Sequence, residues 1–243
     1  MFSIYFMALP FFYNEDIVTG TTVVTLDEDT SKHVAQVLRM QNGEQLLLTD
    51  GKGNLFTCQI TDNNRKRCTV VIEQTKNYQP PTTNITIAIS LLKNSSRFEW
   101  FLEKATEIGV TEIIPLLCER TEKTAFKFER MNSILISAML QSQQTYLPVL
   151  QEPQKFNQVA TQPFSNYSKY IAHCEDENNK QPLTNQPINK STNLLILIGP
   201  EGDFTKEEIV LALKNTFLPV SLGNTRLRTE TAGVVAATLL CHI

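Results

Sequence analysis

The sequence predicts an α/β protein in which a β-rich amino-terminal region precedes a larger region of alternating strands and helices. Short runs of alternating apolar and polar residues fill 17–76. Two prolines in Tyr78–Pro81 then interrupt any strand ladder. Beyond them, strongly apolar strands alternate with helical patterns, which is typical of a parallel sheet. The 243 residues suffice for two domains, which we place at 1–77 and 82–243.

The amino-terminal region is predicted to form a small barrel or sandwich, because its short strands are separated by turn residues. One helix interrupts the strands; Thr30 or Ser31 can cap it, and its apolar stripe would be Val34, Val37 and Leu38. The predicted strands are Thr22–Leu26, Gln45–Leu48, Leu55–Ile60 and Cys68–Ile72.

The second region begins with Ile85–Leu92, which has almost no polar face and is typical of a buried parallel strand. Ser96–Glu99 and Thr205–Glu208 have the pattern of helix capping boxes. Gly109 suits the end of the first helix. The further strands are predicted at 113–117, 169–174, 194–198 and 219–222, the further helices at 128–143 and 231–241, and a surface loop at 175–192.

Composition and charge limit the function. A net charge of -3 argues weakly against a general nucleic-acid binder, but a local basic patch is compatible with it because one face makes the phosphate contacts. The five cysteines and three histidines have no metal-ligand spacing, so no metal is predicted. Free cysteines fit a cytoplasmic location without a membrane. Met1–Phe12 resembles neither a signal peptide nor a membrane span, and the sequence allows either Met1 or Met7 as the start.

Two loops that each follow a predicted strand are the candidate functional sites. Ile198–Phe204 contains two glycines and a proline, which allow backbone to approach a ligand at the carboxyl end of a strand. Ser221–Ala232 concentrates arginines, threonines and a glutamate before a helix. Plain turns with capped helices explain each loop alone, whereas their co-occurrence favours a site. No dinucleotide fingerprint, phosphate-binding loop, nucleophile elbow or zinc-protease motif is present.

These loops resemble the signature of the RsmE family, the 16S ribosomal RNA uridine-N3 methyltransferases of the SPOUT superfamily. The resemblance also covers Arg97–Trp100, Glu103–Val110, Glu119-Arg120 and, in the amino-terminal region, His33 with Val37–Arg39. Several fragments in the family's order are far more specific than any one of them. Asp203 departs from the family, which often has a second adjacent glycine there.

The resemblance implies a SPOUT trefoil-knotted domain with a parallel sheet, preceded by a small PUA-like β-barrel that binds RNA. It also implies a homodimer and S-adenosyl-L-methionine as methyl donor. By position, the donor site would comprise Ile198, Gly199, Pro200, Glu201, Gly202, Leu222, Gly223, Leu227, Arg228, Thr231 and Ala232.

The implied chemistry needs removal of the N3 proton of uracil and stabilisation of the resulting anion. We expect Arg228 to stabilise this charge, because a guanidinium presents two donors to one edge. Glu230 is the second catalytic candidate, either as base or as the group that orients Arg228; an acid that complements the helix dipole explains it equally well.

Basic residues in both regions are candidates for contacts with 16S ribosomal RNA in the small subunit. Lys123, Lys127 and Arg130 would share one face if their segment were helical. For any single residue of the set, an ordinary solvated charge is the simpler explanation. The other candidates are Lys32, Arg39, Arg65, Lys66, Arg67, Lys93 and Arg97.

Three other functions fit parts of the pattern. A SPOUT methyltransferase with another RNA target, such as transfer RNA, would have similar donor loops. A non-catalytic ribosome-assembly protein would bind RNA through the barrel and would not bind the methyl donor. A small-molecule enzyme fits least, because it has no evident use for a PUA-like barrel.

Overall fold

The computed structural model describes residues 9–18, 20–175, 180–186 and 193–242. Met1 and Met7, the two alternative starts, lie outside this part of the chain. The protein forms two compact units. The first extends through Pro80 and includes Met139–Leu147, a segment that the sequence pattern places in the second region. The second unit comprises Pro81–Ala138 and the chain from Pro148 onward.

A five-stranded sheet forms the first unit, in the order β1-β3-β4-β5-β2. β1 pairs parallel with β3, and the remaining pairs are antiparallel. Alternate residues of β4 point inward, so Phe56, Cys58 and Ile60 are buried in the core of this unit. The strands are β1 (Phe11–Tyr13), β2 (Val23–Thr25), β3 (Gln45–Thr49), β4 (Asn54–Asp62) and β5 (Thr69–Asn77).

Helix α1 (Glu28–Lys32) continues into a π-helical turn, His33–Val37, and is capped differently from the prediction. Asp27 is the cap, because its carboxylate accepts the N–H of Thr30 at 2.9 Å. Ser31 is instead buried, where its hydroxyl accepts the N–H of Cys68 at 2.8 Å. The predicted caps, Thr30 and Ser31, were therefore wrong.

The predicted apolar stripe of this helix is only partly correct. Val34 is fully buried, but Val37 is 64% exposed and Leu38 41% exposed. The π-helical turn changes the helical spacing on which the prediction depended, so the later apolar residues do not face the core.

The segment Met139–Leu147 enters the first unit through Tyr146. The phenol of Tyr146 donates a hydrogen bond to the carbonyl of Tyr78 at 2.8 Å. Gly53, with a φ of +94°, lies directly against this ring, and a Cβ atom there would overlap it. A glycine is required at this position by both its conformation and the close approach.

An all-parallel sheet forms the centre of the second unit, in the order β11-β13-β10-β12-β6-β7-β8, with β9 also paired to β7. Its strands are β6 (Ile85–Ser90), β7 (Glu112–Leu117), β8 (Val149–Leu150), β9 (Gln154–Lys155), β10 (Tyr167–Ala172), β11 (Gln181–Pro182), β12 (Asn193–Ile198) and β13 (Leu218–Ser221). The helices are α2 (Ser95–Ile108), α3 (Phe128–Gln141), α4 (Phe156–Thr161), α5 (Lys206–Lys214) and α6 (Thr229–Cys241), with a 3₁₀ turn at Leu183–Asn185.

Two of these helices test the predicted capping boxes. Thr205 and Glu208 form the predicted box at the start of α5. The cap of α2 is Asn94, whose side chain accepts the N–H of Ser96 at 2.9 Å, so the box predicted at Ser96–Glu99 was wrong. Gly109 ends α2 in the left-handed conformation, as predicted.

Helix α6 packs closely on α2 and β6. A Cβ atom at Gly233 would lie 2.6 Å from the ring of Phe101 and 2.8 Å from the side chain of Ile89. This packing fixes the first turn of α6 beside the carboxyl end of the sheet. Within the described residues, none of the helices is long and apolar enough to cross a membrane.

Candidate functional site

The candidate site is a cavity of about 520 Å³ at the carboxyl ends of β10, β12 and β13. These strands are neighbours in the sheet, so the loops that follow them meet at one edge. The volume falls within the range of small-molecule sites. The lining residues are Ala172, His173, Cys174, Lys180, Ile198, Gly199, Pro200, Glu201, Asp203, Val220, Ser221, Leu222, Gly223, Asn224, Thr225, Arg226, Leu227, Thr229 and Ala232.

The structure brings most of the predicted donor-site residues to this cavity. Those that line it are Ile198, Gly199, Pro200, Glu201, Leu222, Gly223, Leu227 and Ala232. Three others lie beside the cavity wall without forming it: Gly202, Arg228 and Thr231. The two loops singled out in the sequence therefore form one pocket.

Hydrogen bonds join the loop after β12 to the chain beyond β6 and β7, the next two strands on one side of β12 in the sheet. The carboxylate of Glu201 accepts the N–H of Lys93, just beyond β6, at 3.1 Å. The guanidinium of Arg120, just beyond β7, donates to the carbonyl of Gly202 at 2.6 Å. The carbonyl of Gly202 is thus already hydrogen-bonded to Arg120, and these two bonds give the loop a fixed conformation.

Asp203 joins the same loop to the chain beyond β10, the neighbour of β12 on its other side in the sheet. One carboxylate oxygen accepts the N–H of Cys174, just beyond β10, at 2.7 Å. The other accepts the N–H of Phe204 at 2.8 Å. Asp203 has a φ of +62°, the left-handed conformation that glycine adopts most readily and aspartate tolerates.

The loop after β13 presents backbone groups to the pocket that have no partner among the described residues. Gly223 has a φ of +146°, and no atom lies within 4 Å of the position that a Cβ would take. Among the described residues, no hydrogen bond involves the backbone N–H or C=O groups of Gly223–Arg226. These four residues are exposed, so their backbone groups are open to solvent and accessible to a polar ligand in the cavity that they line.

The two predicted catalytic residues flank Thr229, a residue of the cavity wall. Arg228 is exposed and immediately precedes α6, where its carbonyl accepts the N–H of Ala232 at 2.7 Å. Glu230 is only 6% exposed. One of its oxygens lies 3.7 Å from the Nε of Arg97, and the other has no hydrogen-bond partner among the described residues. Neither side chain forms the cavity wall itself.

Sequence reasoning missed the contribution of β10. His173, Cys174 and Lys180 line the cavity, and the ammonium of Lys180 donates to the carbonyl of His173 at 2.6 Å. Cys174 is exposed, but partial desolvation by its neighbours raises the pKa of its thiol, and the carboxylate of Asp203 raises it further. The end of β10 has no glycine motif, so only its position between β12 and β13 reveals its role.

The basic residues of the second unit differ in their availability for RNA. Arg130 forms a bidentate ion pair with Glu99, with hydrogen bonds of 2.7 and 2.8 Å. Lys93 forms an ion pair with Glu122 at 2.7 Å. Arg97 is paired with Glu230. Lys123 and Lys127 are exposed but precede α3 in non-helical chain, so the shared helix face predicted for them with Arg130 was wrong.

The basic residues of the first unit are all exposed. Arg65, Lys66 and Arg67 lie in the turn between β4 and β5, and Lys32 and Arg39 flank the π-helical turn. Within the described part of the chain, none of these five forms a salt bridge. They present unneutralised positive charge to solvent, as phosphate contacts require.

Family profiles match both regions of the chain. A profile described as an RNA methyltransferase domain matches residues 79–241, and one described as an RNA methyltransferase PUA domain matches residues 26–73. The chain is 32% identical over 227 residues to the ribosomal RNA small subunit methyltransferase E of Synechocystis sp., with 91% of this chain and 73% of that protein covered. Its identity to the protein of the same name from Rickettsia conorii is 26%, with 93% and 91% covered.

Solved structures resemble the whole chain. A probable rRNA-methyltransferase from Porphyromonas gingivalis superposes with a TM-score of 0.88 at 40% identity, covering 96% of this chain and 97% of that one. The ribosomal RNA small subunit methyltransferase E of Neisseria gonorrhoeae, solved bound to S-adenosyl methionine, gives 0.85 at 29% identity with the same coverage. These likenesses confirm the predicted class of an α/β domain with a parallel sheet, preceded by a PUA-like β domain.

Proposed function

Because this chain belongs to the ribosomal RNA small subunit methyltransferase E family, we propose that it methylates N3 of a specific uridine in 16S ribosomal RNA with S-adenosyl-L-methionine as donor. The observation that carries the proposal is the single pocket formed by the loops after β10, β12 and β13. The ribosomal RNA small subunit methyltransferase E of Neisseria gonorrhoeae, a relative with a similar fold, was solved with S-adenosyl methionine bound.

The residues of the pocket fit such a donor. Ile198, Leu222 and Leu227 offer apolar contacts for a flat base, and the exposed backbone of Gly223–Arg226 offers hydrogen bonds for its polar edge. The donor would be held by the lining residues of the loops after β12 and β13, together with Ala232 in the first turns of α6. When bound, S-adenosyl-L-methionine supplies a methyl group carried on a positively charged sulfur.

Arg228 supports the nucleophile in this proposal. The N3–H of uracil is weakly acidic, and neutral N3 is a poor nucleophile, so the proton must pass to an acceptor, in this proposal solvent water at the pocket mouth, and the negative charge must be stabilised. The exposed guanidinium of Arg228, next to the cavity-lining Thr229, can donate to a carbonyl oxygen that flanks N3 in a base brought to the pocket mouth, which stabilises the delocalised charge and leaves the N3 lone pair free to attack the methyl carbon.

Glu230 lies two residues after Arg228 in the first turn of α6, and its side chain is buried. Its burial and its pairing with Arg97 favour an orienting role over that of a base, because a base must reach the proton that it removes. We assign to Glu230 the function of fixing the turn that carries Arg228.

The first unit would bind the RNA. Its match to an RNA methyltransferase PUA domain and the unpaired cations Lys32, Arg39 and Arg65–Arg67 support this assignment. We further propose that the protein acts as a homodimer in the cytoplasm, where ribosomal RNA is available and its cysteines stay free thiols.

The test is mass mapping of ribosomal RNA from a strain that lacks this protein. We expect one N3-methyluridine to be lost from 16S RNA and restored by the wild-type gene but not by an Arg228→Ala variant. Unchanged modification of 16S RNA would contradict the proposed function. Loss of a methyl group from transfer RNA instead would assign the protein to another target within the same superfamily.

A further inference from the structure

We propose that Asp203 is a positioning residue of the methyl-donor site: its carboxylate joins the loop after β12 to the chain after β10 and thereby fixes two walls of the pocket relative to each other. This inference rests on the proposed function and specifies how this particular chain shapes its site.

Each oxygen of the Asp203 carboxylate accepts a different hydrogen bond. Oδ2 accepts the N–H of Cys174 at 2.7 Å, and Oδ1 accepts the N–H of Phe204 at 2.8 Å. Hydrogen bonds to an ionised acceptor are stronger than neutral ones. Since Cys174 and Asp203 both line the cavity, a change in either bond alters the shape of the pocket directly.

The backbone at Asp203 shows why the residue type matters. Its φ of +62° suits glycine without strain, whereas a residue with a Cβ adopts this conformation at some cost. A glycine, however, offers no acceptor to the N–H of Cys174. The aspartate therefore maintains a less favourable backbone conformation and supplies a connection that the backbone alone cannot make.

The charges around Cys174 supply an independent way to detect this connection. Partial desolvation raises the pKa of the exposed Cys174 thiol most, the Asp203 carboxylate raises it further, and Arg226 and Lys180 lower it. Removing the carboxylate should make the thiol more acidic and more reactive, because the thiolate is the nucleophile.

The first experiment compares Asp203→Gly and Asp203→Asn with the wild-type protein by calorimetric titration of S-adenosyl-L-methionine and by steady-state kinetics. Glu207→Gln, which removes an exposed carboxylate nearby, is the matched control. We expect Asp203→Gly to raise the Kd and KM for the donor about 10-fold, the scale of one charge-assisted hydrogen bond. The KM for RNA and kcat should stay unchanged. Asparagine keeps one acceptor oxygen, so its effect should be smaller.

Unchanged donor affinity in both variants would overturn the role of Asp203 while leaving the proposed function intact. A wild-type protein that fails to bind the donor would instead overturn the proposed function, and this inference with it. Glycine and asparagine both tolerate the left-handed conformation, so we expect both variants to fold.

The second experiment needs neither donor nor RNA. Alkylation of Cys174 by iodoacetamide is followed by peptide mass spectrometry, with Cys241 in the same molecule as the reference. We expect faster alkylation of Cys174 in Asp203→Asn and an unchanged rate in Glu207→Gln. Equal rates in Asp203→Asn and the wild-type protein would contradict the contact between Asp203 and Cys174.

Discussion

The Nε of Arg97 lies 3.7 Å from one carboxylate oxygen of Glu230, so an ion pair joins helix α2 to the first turn of α6. The Glu230 side chain is 8% exposed, and its second oxygen has no hydrogen-bond partner among the described residues. An unsatisfied buried oxygen is destabilising, so stability alone does not favour a carboxylate at this position. This cost is consistent with the positioning role proposed for Glu230, two residues after Arg228.

A double-mutant cycle tests this relationship. We expect Glu230→Gln to lower kcat about 10-fold, because the turn bearing Arg228 loses its partner on α2, and Arg97→Gln to lower it less. In the double variant, kcat should fall by less than the product of the two separate decreases. Strictly additive effects on both kcat and the free energy of unfolding would show that the pair does not act as a unit.

Removal of the Arg228 guanidinium should reduce turnover and leave donor binding intact. Arg228→Ala removes a charge-stabilising donor, and such losses lower kcat by roughly 10²–10³-fold. Because Arg228 does not line the cavity, the Kd for S-adenosyl-L-methionine should not change. Arg228→Lys is the matched control: it keeps the charge but loses the two-pronged donor, and it should be intermediate. Full turnover in Arg228→Ala would exclude the assigned role.

Gly233→Ala should destabilise the protein, because its new methyl group would lie 2.6 Å from the ring of Phe101. Overpacking of a buried contact costs about 1–3 kcal/mol, which urea unfolding can measure. Thr238→Ala, an exposed change on the same helix, should alter stability by no more than about 0.5 kcal/mol. If both variants unfolded at the wild-type urea concentration, the close packing of α6 would be wrong.

Stability should fall at alkaline pH because of Cys118. Burial, with a smaller effect of the Glu208 carboxylate, raises the pKa of this thiol from 9.0 to about 12. The unfolded chain ionises Cys118 near pH 9 whereas the folded protein keeps the proton. Its contribution is therefore complete below pH 9 and is lost as the pH rises toward 12, by at most about 1.4 kcal/mol per pH unit.

Urea unfolding at about pH 8 and about pH 10.5 measures this loss. The decline should be smaller in Cys118→Ala than in the wild-type protein, since the variant has no thiol to titrate at this position. Parallel declines would mean that Cys118 titrates alike in the folded and unfolded chains.

RNA binding should depend on salt through the turn between β4 and β5. Replacing Arg65, Lys66 and Arg67 by alanine should weaken binding and flatten the plot of log affinity against log salt by about 0.7–0.9 for each phosphate group that the protein no longer binds. Affinity for S-adenosyl-L-methionine should be unchanged, and Lys206→Ala on α5 serves as the control. An unaltered slope would remove these residues from the RNA interface.

Local patterns in the sequence were enough to locate the main parts of the donor site. The glycines of Ile198–Phe204 and Ser221–Ala232 mark strand ends, and the capping box at Thr205 fixes where α5 begins. Each of these signals depends on residues close together in the chain. This is why the predicted loops, and the parallel sheet that carries them, agree with the structure.

Features that depend on distant contacts were not predictable in this way. The adjacency of β10 to both β12 and β13 places Cys174 beside Asp203, although 28 residues separate them in the sequence. Both Ser96 and the nearby Asn94 are residue types that can cap a helix, and only the backbone geometry shows that Asn94 caps α2. Lys123 and Lys127 lie before α3, because the helix begins only at Phe128.

The central claim is that the loops after β12 and β13 form a site for S-adenosyl-L-methionine, and calorimetric titration of this donor tests it most directly. Wild-type protein should bind one donor per chain. Ala232→Phe, which fills the cavity from the first turn of α6, should abolish the binding heat without lowering the thermal unfolding midpoint by more than a few degrees. Absence of binding by the wild-type protein, or undiminished binding by Ala232→Phe, would contradict the account.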